Sequence, residues 1–205
     1  MLIRRQLCAS ISVLIQVEGR ALLPLLDALV SALNKACKET KAACADNIKC
    51  NTLACLDGLL QRFGVLCAGR LGEVYTLAKS CLKVGEDAAV RIAAVQVIVS
   101  VVARGGSAGH MHHDDALKLC KSLLHDKHSA LVRMGAADLL TALAQHADKV
   151  HALGLEGMIQ LIIKSLGDGN TANEPEGLHM SKVIGQVLAS LATRSPAGPA
   201  VQVAI

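Results

Sequence analysis

His110-x-His112-His113-Asp114-Asp115 is the stretch best equipped for chemistry, with three imidazoles and two carboxylates in six positions. These are zinc-type donors, but zinc needs three or four ligands converging tetrahedrally. Adjacent side chains beside a Gly-rich linker do not readily point at one centre. A polar turn between helices accounts for the run, with Asp114 and Asp115 favouring a helix N-terminus; a weak surface metal site is the alternative. Cys120 and His125 offer a thiol and a base, and nucleophilic catalysis needs both plus an orienting acid. Cys120, however, falls in an apolar stripe that predicts a buried, protonated thiol. Gly105-Gly106-Ser107-Ala108-Gly109 lacks the Lys-Ser/Thr of a phosphate-binding loop and the strand that should precede it, so it reads as a linker. His125, His128, His146 and His151 lie near expected helix ends and read as surface residues. The expectation is a protein that is not an enzyme, with no catalytic residues, no cofactor and no metal; a thiol- or metal-dependent enzyme is the opposing reading.

Eight cysteines, Cys8, Cys37, Cys44, Cys50, Cys55, Cys67, Cys81 and Cys120, form no CxxC pair. Most sit in helical runs, where a thiol packs as a small hydrophobe, which predicts reduced, structural cysteines in a cytosolic protein. The net charge of +4, from 21 basic and 17 acidic residues, is too mild to imply a polyanion partner. One Phe, one Tyr and no Trp leave no stacking platform for single-stranded nucleic acid. No segment reaches about 18 consecutive apolar residues; the longest greasy run, Ile92 to Ala103, is broken by Gln96 and Ser100. Arg4-Arg5 followed by Leu7 to Val17 mimics a signal peptide, but Gln6, Ser10, Ser12 and Gln16 dilute it. A helix of the fold is the preferred reading, with a mitochondrial presequence as the alternative.

The elements that would carry these residues are helices. Hydrophobic content of 52% excludes a disordered chain, and Ala and Leu dominate where strands would want aromatic and β-branched strings. Ser80-Cys81-Leu82-Lys83 is answered 42 residues on by Ser122-Leu123-Leu124-His125, and Val90-Arg91-Ile92-Ala93-Ala94 by Val132-Arg133-Met134-Gly135-Ala136 at the same spacing. A period of about 40, made of two apolar helical runs and a polar link, is the signature of an α-solenoid.

In chain order, residues 1–18 read as the helix of an incomplete repeat, with Leu7, Ile11, Leu14 and Ile15 inward. Residues 21–193 read as four units, about 21–68, 71–104, 111–147 and 152–193, and 194–205 as a flexible tail. The first unit carries an Ala21–Lys38 helix with Pro24 in its first turn and a stripe of Leu22, Leu25, Leu26, Leu29, Leu33 and Cys37. A turn at Asp46-Asn47 and a partner helix over Ile48–Phe63 follow. Ala88–Ala103, apolar around most of its circumference, is expected between two neighbours. In Ala130–Gln145, Arg133 and Asp138 are expected to face water. Ala152–Leu166 and Glu176–Thr193 form the last pair, the latter with Leu178, Val183, Ile184, Val187, Leu188 and Leu191 inward.

The Leu-x-Asp, turn, Val-Arg, Ala-Ala pattern at this period resembles HEAT repeats of the armadillo-like superfamily. That resemblance spans about residues 21 to 193 and implies an all-α solenoid of antiparallel helix pairs. It also implies a ladder of turn acids and second-helix bases, matched by Asp126 and Asp168 and by Lys49, Arg91 and Arg133. Val84 stands where one acid should be, with Glu86 or Asp87 as substitutes, and Pro175 stands at the last basic position. Lys35–Lys38, Leu53–Gly64, Ala78–Leu82 and Ala89–Ala94 are also similar to the large HEAT-repeat proteins that act with clathrin adaptors in trans-Golgi and endosomal trafficking.

The function expected from this scaffold is protein binding, by a peptide or helix held in the groove that the second helices line. Adjoining repeats of a larger chain or complex are the other expected partners, in which case the chain is a structural segment. Nucleic acid and an integral membrane segment are not expected. The location expected is cytoplasmic, peripheral to endosome or Golgi membranes if the second resemblance holds.

Overall fold

A computed structural model describes residues 2–17, 19–38, 45–146, 157, 159–160, 163 and 175–194. The described residues contain helices and turns and no strand. The helices are α1 (Leu2–Val17), α2 (Leu26–Lys38), α3 (Ala45–Phe63), α4 (Leu71–Ser80), α5 (Ala88–Arg104), α6 (Gly106–His110), α7 (His113–Leu124), α8 (Ala130–His146) and α9 (Pro175–Arg194). Two 3₁₀ segments, Gly19–Leu25 and Gly64–Arg70, precede α2 and α4. The chain divides into two compact units, Met1–His113 and Asp114–Ile205.

Local chemistry explains most boundaries. Pro24 lacks an amide hydrogen, and its ring crowds the preceding turn. The run expected as one helix from Ala21 is therefore 3₁₀ through Leu25 and α-helical only from Leu26. The tighter turn changes the phase of the apolar stripe. Leu25 is thrown outward, 55% exposed, while Val30 and Asn34 turn in beside Leu26, Leu33 and Cys37. Asp46 and Asn47, expected in a turn, lie in the first turn of α3, where a carboxylate suits the positive end of the helix. Asp87 caps α5 by accepting from the Ala89 amide at 2.8 Å, and Ser129 Oγ accepts from the Val132 amide at 3.3 Å. Pro175 occupies the first position of α9, where its missing donor costs little. The Gly/Ser stretch read as a linker contains the single turn α6.

In the first unit, α3 packs on α1 and α5, while α2 packs on α3, α4 on α5, and α2 against α4. The core holds Ile15, Val30, Leu53, Leu56, Leu59, Leu60, Leu71 and Ile98, all essentially inaccessible. Contacts between helices fix their direction. Ser12 of α1 meets Cys55 of α3, and the Gln16 carbonyl accepts from Arg62 further along both helices, so α1 and α3 run parallel. Lys49 with Glu86, and Asp57 with Ser100, set α3 and α5 parallel in the same way. At the end of α3 the chain turns through Gly64, whose φ of 25° is costly for any other residue, and a Cβ there would collide with the Arg104 carbonyl.

In the second unit, α8 packs along α9. Arg133 meets Glu176, and Asp138 meets His179 one turn further on, so these helices are also parallel. Cys120 Sγ of α7 donates to the Ala136 carbonyl of α8 at 3.1 Å. Val132, Ala136, Leu139, Leu140 and Leu143 are buried as the spacing predicts. Leu178 and Leu188 of α9 are not; at 62% and 37% exposed they face outward, and Met180, Val183 and Val187 form the buried face instead. Of the expected helix 152–166, the described residues Gly157, Ile159, Gln160 and Ile163 are helical. The rest of it, and the 194–205 tail apart from Arg194, lie outside the described residues.

Candidate functional site

The residues singled out by the 42-residue spacing occupy one place in their helices. Lys49, Arg91 and Arg133 each fall at the fourth or fifth residue of α3, α5 and α8. Lys49 Nζ donates to Glu86 Oε2 at 2.5 Å, both side chains less than a quarter exposed. Glu86 belongs to the turn just before α5, and its hydrogen bond raises the Lys49 pKa despite burial.

Arg133 repeats the arrangement with more donors. Its Nε and Nη2 reach Glu176 Oε1 and Oε2 at 2.6 and 2.7 Å, a two-pronged fork, and its Nη1 donates to the Asp126 carbonyl at 2.7 Å. The Glu176 hydrogen bonds raise its pKa further. Arg133 is therefore half-buried and engaged, not turned to water as the pattern of α8 suggests, and Asp138 likewise pairs with His179 Nε2 at 2.9 Å. Arg91 goes further inward, at 3% exposure. Asp126 contributes its main chain to Arg133, while its carboxylate closes the turn by accepting from the His128 and Ser129 amides at 3.0 and 2.9 Å. Asp168 lies outside the described residues.

Three polar contacts between neighbouring parallel helices share one separation. Ser12 with Cys55, Asp57 with Ser100, and Arg133 with Glu176 are each 43 residues apart. A constant offset is what parallel helices packed in the same register give. Asp57, in the middle of the α3–α5 contact, accepts from Ser100 Oγ at 2.5 Å and from Gln61 Nε2 at 2.7 Å. Burial raises its pKa, and the Ser100 and Gln61 hydrogen bonds oppose that. Sequence reading passed over Glu176, Asp57 and Ser100. The offset could have found the last pair, because a carboxylate and a hydroxyl inside two apolar helices at the repeat spacing demand each other.

The histidine run divides between neighbours. His112 stacks on Tyr75, ring centroids 4.3 Å apart and 14° from parallel, while His110 and His113 lie 4.7 Å apart at 47°. His113 is buried at 3%. Among the described residues, no group of three or more His, Cys, Asp or Glu is placed to hold a metal ion. Nor is any described helix long and apolar enough to cross a membrane.

Between α1 and α3 an open cleft of about 410 Å³ is lined by Ser12, Ile15, Gln16, Gly58, Gln61 and Arg62. Its lining combines apolar Ile15 and Ala54 with amide, hydroxyl and guanidinium groups, and it lies between the parallel helices α1 and α3.

No protein-family model matches the chain, and comparisons with curated proteins and with solved structures likewise give no match. What stands is an all-α chain of several packed helices, the kind of architecture found in helical repeats.

Proposed function

We propose that the chain is a non-enzymatic, protein-binding α-solenoid of HEAT type. The observation that carries this reading is the common 43-residue offset of Ser12–Cys55, Asp57–Ser100 and Arg133–Glu176. It is supported by the base-to-acid contact that recurs from Lys49 to Glu86 and from Arg133 to Glu176. Side-by-side second helices leave a concave row of exposed side chains, and such a surface binds a peptide or helix by shape and by rim hydrogen bonds. The cleft between α1 and α3 is the place in this chain that fits an extended or helical segment of another protein. The similarity of Lys35–Lys38, Leu53–Gly64, Ala78–Leu82 and Ala89–Ala94 to large trafficking HEAT-repeat proteins suggests cargo-adaptor recruitment at endosome or trans-Golgi membranes as the setting.

Photo-crosslinking from Ala54, in the wall of the cleft, tests this in cell extract. One specific protein should crosslink, be lost on Arg62→Glu, and be absent when the crosslinker sits at exposed Thr76 on α4. Equal labelling from both positions would remove the cleft as the binding surface.

A second reading makes the chain a structural segment that stacks on further repeats. Val13, Leu14 and Val17 favour it, since they expose one apolar side of α1 at 60%, 46% and 67%. Interior repeats bury such faces against a neighbour. Replacing all three with Gln should leave an isolated chain folded and more soluble under this reading, and should leave the crosslink from Ala54 intact under the first.

A further inference from the structure

Among the described residues that line the α1–α3 cleft, Arg62 is the one that carries charge. Its Nη1 donates to the Gln16 carbonyl of α1, which ties the guanidinium between the two helices and leaves its other N–H groups for a ligand. Gln61, one residue earlier, is oriented by Asp57. One Asp57 oxygen accepts from Ser100 Oγ and the other from Gln61 Nε2, the latter at 2.7 Å. A carboxylate has no hydrogen to give, so Gln61 turns its NH2 to Asp57 and keeps Oε1 as the group it can offer to the cleft. Gly58 lies one turn before both in the same wall. A glycine inside a helix lowers stability relative to alanine. Packing does not ask for one here, because an added Cβ would meet Ile15 Cγ2 at 3.9 Å, an ordinary contact. What the missing side chain leaves is room in the cleft.

We infer that the cleft takes an acidic, extended peptide segment of another protein. Its backbone passes over Gly58, one of its backbone N–H groups donates to Gln61 Oε1, and an Asp or Glu carboxylate pairs with Arg62. This rests on the protein-binding reading above and narrows the partner. A ligand backbone comes close to a helix where no side chain stands in the way. Arg62 attracts a carboxylate and repels a basic sequence, so it sets preference in both directions. The cleft volume of about 410 Å³ falls in the range of about 300–1,000 Å³ usual for ligand pockets, which suits a few residues of extended chain.

Selection of a phage-displayed random peptide library on the full chain should enrich Asp or Glu at one fixed position. A fluorescein-labelled peptide of the enriched sequence should bind Arg62→Ala about fivefold more weakly than wild type. Gly58→Ala should weaken it about tenfold, since a methyl then fills the wall, yet should melt no lower than wild type. N-methylation of one peptide amide should weaken wild-type binding about fivefold, and Gln61→Leu and Asp57→Asn should lose that discrimination. Free glutamate at the peptide's concentration should not displace it. The inference is overturned by enrichment of neutral or basic sequences, by no enrichment, or by an acidic peptide that binds Gly58→Ala and Arg62→Ala as tightly as wild type. Full displacement by glutamate also overturns it, making the cleft a small-anion site. If a protein still crosslinks from Ala54 in any of these cases, the scaffold reading stands and the acidic partner alone is removed. Should Arg62→Ala lose its helical circular dichroism, the wild-type selection and Gly58→Ala decide.

Discussion

The guanidinium of Arg133 and the carboxylate of Glu176 meet edge to edge, two parallel hydrogen bonds joining residues 43 apart in the chain. This contact ties the start of α8 to the start of α9, as the Lys49–Glu86 pair ties the start of α3 to the turn before α5. In both, a base near the start of one helix reaches an acid at or just before the start of the parallel helix packed on it.

A partly buried fork of this kind is worth more than an exposed pair, because geometry and desolvation both act. Arg133→Ala should destabilise the chain by about 1–3 kcal/mol in chemical denaturation, since Glu176 and the Asp126 carbonyl then lose their donors. Arg133→Lys should recover less than half of that loss, having charge without the fork. A double-mutant cycle with Glu176→Gln that shows no coupling would refute the contact.

Asp57 makes a pH prediction. Its folded pKa is raised, chiefly by burial, above the ordinary value of 3.8. An acid raised in the folded state contributes stability that is fully present below its unfolded pKa and is lost as pH rises through the folded one. Relative to Asp57→Asn, the wild-type chain should therefore lose stability as pH climbs from 3.8 through the raised value, and change no further above it. Unfolding free energies of the two proteins, measured across that range, give the comparison; a wild-type chain that gains stability over Asp57→Asn as pH rises contradicts it.

Gly64→Ala should cost about 1–3 kcal/mol, because an alanine at φ 25° is strained and its methyl meets the Arg104 carbonyl. Gly69→Ala, with nothing within 4 Å of the added carbon, should be neutral or slightly stabilising. Thermal denaturation of the pair separates the two effects.

Leu59, completely inaccessible in α3, should lose about 2–5 kcal/mol on truncation to Ala through lost burial and a residual cavity. Leu66, at 64% exposure, should change stability by about 0.5 kcal/mol or less on the same substitution. Equal losses at both would mean that α3 is not the core helix described.

Helices with strong period were legible in the sequence: Leu53, Leu56, Leu59 and Leu60 in α3, and Val132, Ala136, Leu139, Leu140 and Leu143 in α8, are buried as their spacing predicts. The phase of α2 was not, because Pro24 imposes a 3₁₀ turn and rotates Leu25 outward. Nor was the inner face of α9, where Leu178 and Leu188 fit the apolar stripe yet Met180, Val183 and Val187 are the side that meets the core. Lys49, Arg91 and Arg133 were visible as one position repeated at 42 residues. One acid, Glu176, was not, since it stands beside Pro175 where the pattern asks for a base; Glu86 was reachable as a substitute for Val84. Hydrogen bonds across helices depend on how two helices register, and a period gives the register only to within a residue or so.

The central claim is that equivalent helices lie side by side, one unit apart. Ser12→Cys tests it with one substitution, because Ser12 Oγ lies 3.3 Å from the native Cys55 Sγ. Mild oxidation followed by peptide mapping should give a disulfide between positions 12 and 55. A new cysteine that stays free, or that bridges to a thiol elsewhere in the chain, would contradict the account.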